Sequence, residues 1–242
     1  MCQPRYYRSW VKNHQLNGFQ VVCEETDLLV LAERDLQTQA SVYATKYHNL
    51  VRQYLAINSN FGNSLVPIPD DETAPPIIRS MIEAAQKAGV GPMAAVAGAI
   101  SEFTGKDLLA HSKEVIVENG GDIFLKTSRK RVVSIYAGSS PLSGKIGIVI
   151  RGDNISRGIC TSSGTVGHSL SFGKADAAVA LSDSAILADA AATAIGNVVK
   201  AADDIPASLE IARSIPGITG ALIIVGSKLG AWGDVCLTRL EP

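Results

Sequence analysis

Apolar residues recur along this chain in two rhythms, and each predicts one kind of element. Residues 18–24 and 28–33 are short β-prone runs, and Glu25-Thr26-Asp27 is the polar break between them, so a hairpin is expected. Residues 35–57 change period: Leu36, Ala40, Tyr43, Tyr47, Leu50 and Leu55 fall at helical intervals, with His48 read as a helix-surface or core-edge residue. Residues 58–76 lose both rhythms, and their Asn, Gly and Pro predict a loop, either a connector or a cover over a site. Residues 77–88 predict an amphipathic helix. Gly89-Val90-Gly91-Pro92 interrupts it, and residues 93–103 predict a second helix of small apolar side chains. A helix apolar on every side is normally buried, and its small residues permit close approach by a neighbour or a ligand.

The middle of the chain is β-rich. Residues 114–117, 123–126, 131–137 and 145–150 are candidate strands, and the turn Glu118-Asn119-Gly120-Gly121-Asp122 joins the first two. Another short strand is expected over 177–181, then a long helix over 183–200 with Ser182 or Asp183 as its N-cap. A last helix over 206–214 and closing strands over 221–225 and 235–240 complete the reading. Strands and helices mix without a βαβ alternation, which points to an α+β fold and away from a doubly wound nucleotide fold.

Composition narrows the class. The chain has 242 residues, 46% hydrophobic and 19% charged, enough for a sizeable core and unlike a disordered chain. Its 22 basic and 23 acidic residues nearly cancel, which argues against nucleic acid or an anionic membrane as a partner. The four cysteines form no CxxC pair, so neither a zinc knuckle nor a disulfide framework is expected. The first residues carry no apolar stretch of a secretory signal, and no apolar run is long enough for a confident membrane span. A cytoplasmic location is the expectation.

Three segments carry candidate chemistry. Between Ala185 and Gly196 the only polar side chains are Asp189 and Thr193. Four positions apart on a helix, they share a face about 40° from one another. A buried carboxylate needs a partner, and an acid with a hydroxyl one turn on can hold a hard cation such as magnesium against phosphate oxygens. The alternative is that Asp189 caps a neighbouring turn and Thr193 bonds its own helix. The turn Asn119-Gly120-Gly121-Asp122 can present backbone to a ligand, yet Asn-Gly-Gly is also ordinary hairpin chemistry. The run Thr161-Ser162-Ser163-Gly164-Thr165, followed by Gly167 and His168, concentrates hydroxyls and amides suited to phosphate or sugar oxygens. His168 is an acid, a phosphate contact or a structural donor, and Cys160 has no local base that would make it a nucleophile.

In this order and spacing the three segments resemble the ApbE family, the FAD:protein FMN transferases, over residues 91–200. The segment Leu187-Ala188-Asp189-Ala190-Ala191-Ala192-Thr193-Ala194 is the most specific part. The resemblance implies one ApbE-like, T-fold-related α+β domain over residues 1–242, with mixed antiparallel sheets and packed helices. It implies a magnesium ion held by Asp189, Thr193 and a backbone carbonyl of the 93–98 segment, assigned to Ala94. It also implies FAD as substrate or ligand beside Gly98, Asn119, Gly120, Gly121, Asp122 and Thr161 to Thr165, with Asp189 and His168 as catalytic candidates and a flavin-acceptor protein as partner. In the family AMP leaves and FMN passes to a threonine of that acceptor. Two elements depart from the pattern. Ala97-Gly98-Ala99 stands where the family has a Lys-Gly-Tyr-like segment, and the residues after His168 do not make the family's His-x-x-Asp-Pro-Arg-Thr-Gly element. A flavin- or nucleotide-binding module without turnover, or a homo-oligomeric scaffold, are the alternatives.

Overall fold

The computed structural model describes Arg5, Tyr7, Arg8 and residues 15–165 and 172–240. Strands β1 (Asn17–Cys23) and β2 (Thr26–Ala32) form the expected hairpin, but the turn is Glu24-Glu25 alone. Glu24 adopts a left-handed φ of 50°, which lets two residues close the turn and draws Thr26 and Asp27 into β2. Helix α1 (Gln37–Ile57) follows. It buries Ala40, Ala44, Tyr47, His48, Val51 and Tyr54, spacings of three and four that place one stripe against the core. The expected loop over 58–76 holds a short helix, α2 (Ser59–Asn63), capped by the Asn58 side chain and anchored by fully buried Phe61.

Helix α3 (Pro76–Ala88) starts on a proline and ends at left-handed Gly89. The next helix is divided: a 3₁₀ turn (Pro92–Ala95) leads into α4 (Val96–Leu108). Four strands follow: β3 (Val115–Asn119), β4 (Asp122–Lys126), β5 (Arg131–Ser134) and β6 (Ile146–Ile150). Strand β7 (Arg157–Ser162) runs into the start of the expected hydroxyl-rich loop, so Thr161 and Ser162 are strand residues. Then come β8 (Ala177–Ser182), α5 (Ala185–Val198), α6 (Ile205–Ser214), β9 (Ile218–Val225), β10 (Lys228–Gly233) and β11 (Leu237–Arg239). The N-cap of α5 is Ser184, later than either residue expected, because Ser182 ends β8 and binds the Gly217 carbonyl.

The strands make an antiparallel eight-stranded sheet, ordered β1-β2-β3-β4-β7-β8-β9-β10, and a three-stranded sheet, β11-β6-β5. Strand β8 is an interior strand and wholly buried. Its Ala178 and Ala180 join the cluster containing the helices, while Ala177, Val179 and Leu181 join Ile148 and Ile150 of the small sheet. This two-residue alternation gives the large sheet a different layer on each face. The α+β expectation with antiparallel sheets and packed helices therefore holds. Among the described residues no helix is long and apolar enough to cross a membrane.

Candidate functional site

Helices α4 and α5 meet on the large sheet and fix the centre of the site. A side-chain carbon at Gly98 would lie 2.8 Å from Asp189 Cβ and closer still to the Ala185 carbonyl, so only glycine allows the approach. Contact at this range brings Asp189 to the first turn of α4. Its Oδ2 accepts the Gly98 N–H at 2.8 Å, with the Ala97 amide contributing as well. Free amides at a helix start favour a carboxylate. Asp189 thus does cap a neighbouring turn. The reciprocal bond runs the other way: Glu102 of α4 accepts from the Ser184 hydroxyl at 2.9 Å and the Ile186 N–H at 3.2 Å at the start of α5.

Strands β3, β4 and β7 bring the other groups. Gly120 and Gly121 form the two-residue turn of the β3–β4 hairpin, with left-handed φ of 69° and 105°. The ordinary turn reading is therefore correct, and the Gly121 N–H is already bound to Glu118 Oε1 at 2.8 Å. The turn aims its flanks at the helices. Asn119 Nδ2 donates to the Ala97 carbonyl at 3.3 Å, and Asp122 Oδ1 accepts the Thr161 N–H at 3.2 Å. Cys160, buried beneath them, donates its thiol to the Ala185 carbonyl at 3.2 Å.

The electrostatics of this centre are unusual. Asp122 and Asp189 are both buried, and among the described residues no lysine, arginine or histidine pairs with either. Burial pushes Asp189 up to about 7, against the stabilising amides of Gly98 and Ala97. Burial, then the nearby charge of Asp189, pushes Asp122 well above the ordinary carboxylate range. Cys160 is raised by burial first and then by both acids, so its thiol keeps its proton and is no nucleophile.

Thr193 lies one turn beyond Asp189 on α5, half-buried. No hydrogen bond engages its hydroxyl among the described residues. Ala94 is half-buried in the 3₁₀ turn that leads into α4. The hydroxyl run divides. Thr161 meets Asp122 through its backbone N–H, and Ser162 lies beside Gly196 at the far end of α5. Ser163, Gly164 and Thr165 instead fold onto residues 175 and 176: the Gly164 N–H binds the Ala175 carbonyl at 2.9 Å, and the Thr165 hydroxyl binds Asp176 at 3.3 Å. His168 lies outside the described residues. Sequence reasoning missed Glu102. The sequence carries no local signal for it, because its partners at the start of α5 lie 82 and 84 residues away.

Two surface concavities, about 810 and 330 Å³, are lined by Asp35, Gln37, Thr38, Gln39, Ser41 and Val42 and by Leu109, Ser112, Lys113, Lys126 and Asn154, and neither includes a residue of this site. Among the described residues, one group of three metal-capable side chains lies together, Glu24, Glu25 and His48 at the first hairpin turn. There Arg52 and His48 already pair with Glu24.

Comparison with known proteins agrees with this architecture. The chain is 40% identical over 238 residues to a UPF0280 protein of Methanosarcina acetivorans, covering 97% of this chain and 91% of that one. It is 48% identical over 190 residues to a UPF0280 protein of Methanococcus aeolicus, covering 76% and 77%. Among solved structures, the ApbE protein of Thermotoga maritima matches with a TM-score of 0.59 at 12% identity, covering 89% of this chain and 96% of that one. The apo form of the flavinyl transferase ApbE of Pseudomonas stutzeri matches with a TM-score of 0.57 at 11% identity, covering 90% and 94%. At such identities the likeness shows the shared fold. The family described as AbpE bacteria matches residues 8–215, and with these relatives and this fold the chain belongs to that ApbE-like family.

Proposed function

We propose that this protein binds FAD with a magnesium ion and acts on the FAD pyrophosphate, by FMN transfer to an acceptor protein or by hydrolysis. One observation carries the reading: Asp122 is buried within electrostatic reach of buried Asp189, and among the described residues no cationic side chain pairs with either acid. Buried carboxylates in that condition are stabilised by a hard cation. The oxygen donors suit magnesium. Asp189 has acceptor capacity beyond the amides it receives, Thr193 has a hydroxyl free of described partners, and the proposed third donor is the backbone carbonyl of Ala94 in the turn that leads into α4. When bound, the ion supplies Lewis-acid stabilisation of charge on phosphoryl oxygens.

The chain's own groups do the rest. The α4 start orients the Asp189 carboxylate through its amides. Asn119 and Asp122 place the glycine turn beside that helix end and β7, where Gly98, Gly120, Gly121 and Thr161 form one part of the proposed wall for the dinucleotide; Ser162 to Thr165 form its part towards the far end of α5 and residues 175 and 176. The likeness to solved structures, a flavinyl transferase among them, supports the flavin as ligand. His168 remains a proposed acid or phosphate contact.

Isothermal titration with FAD and magnesium tests the reading. Wild type is expected to bind, and Asp189→Ala to lose at least tenfold in affinity; equal affinity removes the metal role. A binding module without turnover is the second reading, favoured by the hydroxyls of Ser163 and Thr165 being engaged internally. Chromatography after incubation separates the two, because AMP release excludes a pure binder of FAD.

A further inference from the structure

Glu118 is a buried carboxylate that the proposed chemistry leaves unused, yet it is heavily bonded. It sits on β3 just before Asn119. Its Oε1 accepts the Gly121 N–H and the Tyr7 hydroxyl, each at 2.8 Å, and its Oε2 accepts Arg8 Nε at 2.7 Å. Arg8 spends the rest of its fork on Asp27, with Nη1 to Oδ1 at 2.7 Å and Nη2 to the backbone carbonyl at 2.8 Å. Arg5 also donates to the Asp27 carbonyl and lies 3.8 Å from Glu118. A short turn, from the Arg8 N–H to the Arg5 carbonyl at 3.0 Å, sets the two arginines side by side.

Two guanidiniums and two carboxylates thus form one neutral network joining β2 to the glycine turn. It also covers that turn, because a side-chain carbon at Gly120 would lie 3.4 Å from Arg5 Nη2. The Tyr7 ring stacks on Tyr136 with centroids 5.5 Å apart, which fixes the hydroxyl that reaches Glu118. An arginine bridging two acids through separate N–H groups has little freedom, and its pairs are screened weakly when largely buried. Without that arginine, Glu118 would be a poorly compensated buried charge, and turning towards water would release the Gly121 amide. The opposite flanks of the same turn are Asn119 and Asp122, which touch α4 and β7.

We infer that Arg5, Tyr7 and Arg8 are positioning residues of the candidate site: acting through Glu118, they clamp the glycine turn so that Asn119 and Asp122 stay against α4 and β7. The effect of the clamp on FAD rests on the proposed function; the clamp itself does not. Amide hydrogen exchange on the full chain, a thermal melt and FAD titration in magnesium test it, comparing wild type, Arg8→Gln and Arg8→Lys. In Arg8→Gln, exchange over residues 118–122 is expected to quicken at least tenfold while β8 and β9 keep wild-type protection. The dissociation constant for FAD rises at least fivefold, and Arg8→Lys recovers most of it. Unchanged exchange over 118–122, exchange quickened equally throughout the molecule, or a loosened turn with unaltered FAD affinity would each overturn the inference. If wild type binds no FAD, the flavin reading fails and the exchange result still decides the clamp. Should Arg8→Gln not fold, Tyr7→Phe removes a single hydrogen bond to Glu118, and a severalfold quickening at the turn is expected; none would overturn the clamp.

Discussion

Asp189 serves two demands at once. It closes the amide end of α4, and it is raised to about 7 by burial. Its folded value lies above the ordinary carboxylate one, so the folded chain keeps a proton that the unfolded chain has lost. That stabilisation is complete below about pH 4 and disappears as pH rises through about 7. With chelator present, Asp189→Asn keeps an acceptor for the Gly98 amide without the charge. It is expected to melt above wild type at pH 8, and an equal or lower Tm contradicts the argument. Glu114 has the opposite sign. Burial raises it, but the hydroxyls of Ser128 and Thr127 and the Arg131 guanidinium outweigh burial and hold it at about 2. Its contribution is present above the ordinary carboxylate range and lost as pH falls through about 2. Glu114→Gln is expected to lose on the order of 2 kcal/mol at pH 7 in urea unfolding and to flatten the acid limb of the stability curve. Asp189 and Thr193 stood out in the sequence because polar residues are rare in that segment. Glu102 did not, because its role depends on which helix start lies beside it.

Helices α4 and α5 are paired by exchange of carboxylates, Asp189 to the start of one and Glu102 to the start of the other. Caps donated by a neighbouring helix hold both the registry and the distance of the pair, whereas a local cap holds only its own helix. Close approach at Gly98 is the condition for both bonds. Gly98→Ala is expected to cost about 1–3 kcal/mol in denaturant unfolding, the usual range for overpacking, and to weaken FAD binding as Asp189 is pushed off the α4 amides. A fully wild-type unfolding midpoint would show that the helices part without penalty. The sequence marked both helices correctly as buried, since alanine and glycine leave no polar face. It placed the N-cap of α5 early because Ser182, Asp183 and Ser184 are chemically alike; only the end of β8 at Ser182 distinguishes them.

At the scale of the whole molecule, the site exists because the large sheet orders its strands β3-β4-β7-β8. That order sets Asn119 and Asp122 beside Thr161, although 39 residues separate Asp122 from Thr161 along the chain. A ligand bound across this junction ties the sheet to both helices and should stabilise the fold as a unit. At a hundredfold excess over the dissociation constant, FAD with magnesium is expected to add about 2.7 kcal/mol. That is a rise of a few degrees in Tm, and chelator should abolish it. No shift with either partner would count against the proposed function. The sequence by itself determined the α+β class, both buried helices, the Gly-Gly hairpin turn and the placement of Asp189 and Thr193 one turn apart on a helix, because periodicity, turn chemistry and rare polar residues in an apolar helix are local signals. Tertiary structure alone decided that Thr161 and Ser162 lie in a strand, that Asp122 lies within electrostatic reach of Asp189, and that Arg5, Tyr7 and Arg8 close on Glu118. Each of these depends on which strands pair and which helix ends meet, and segments distant along the chain carry no mark of that adjacency.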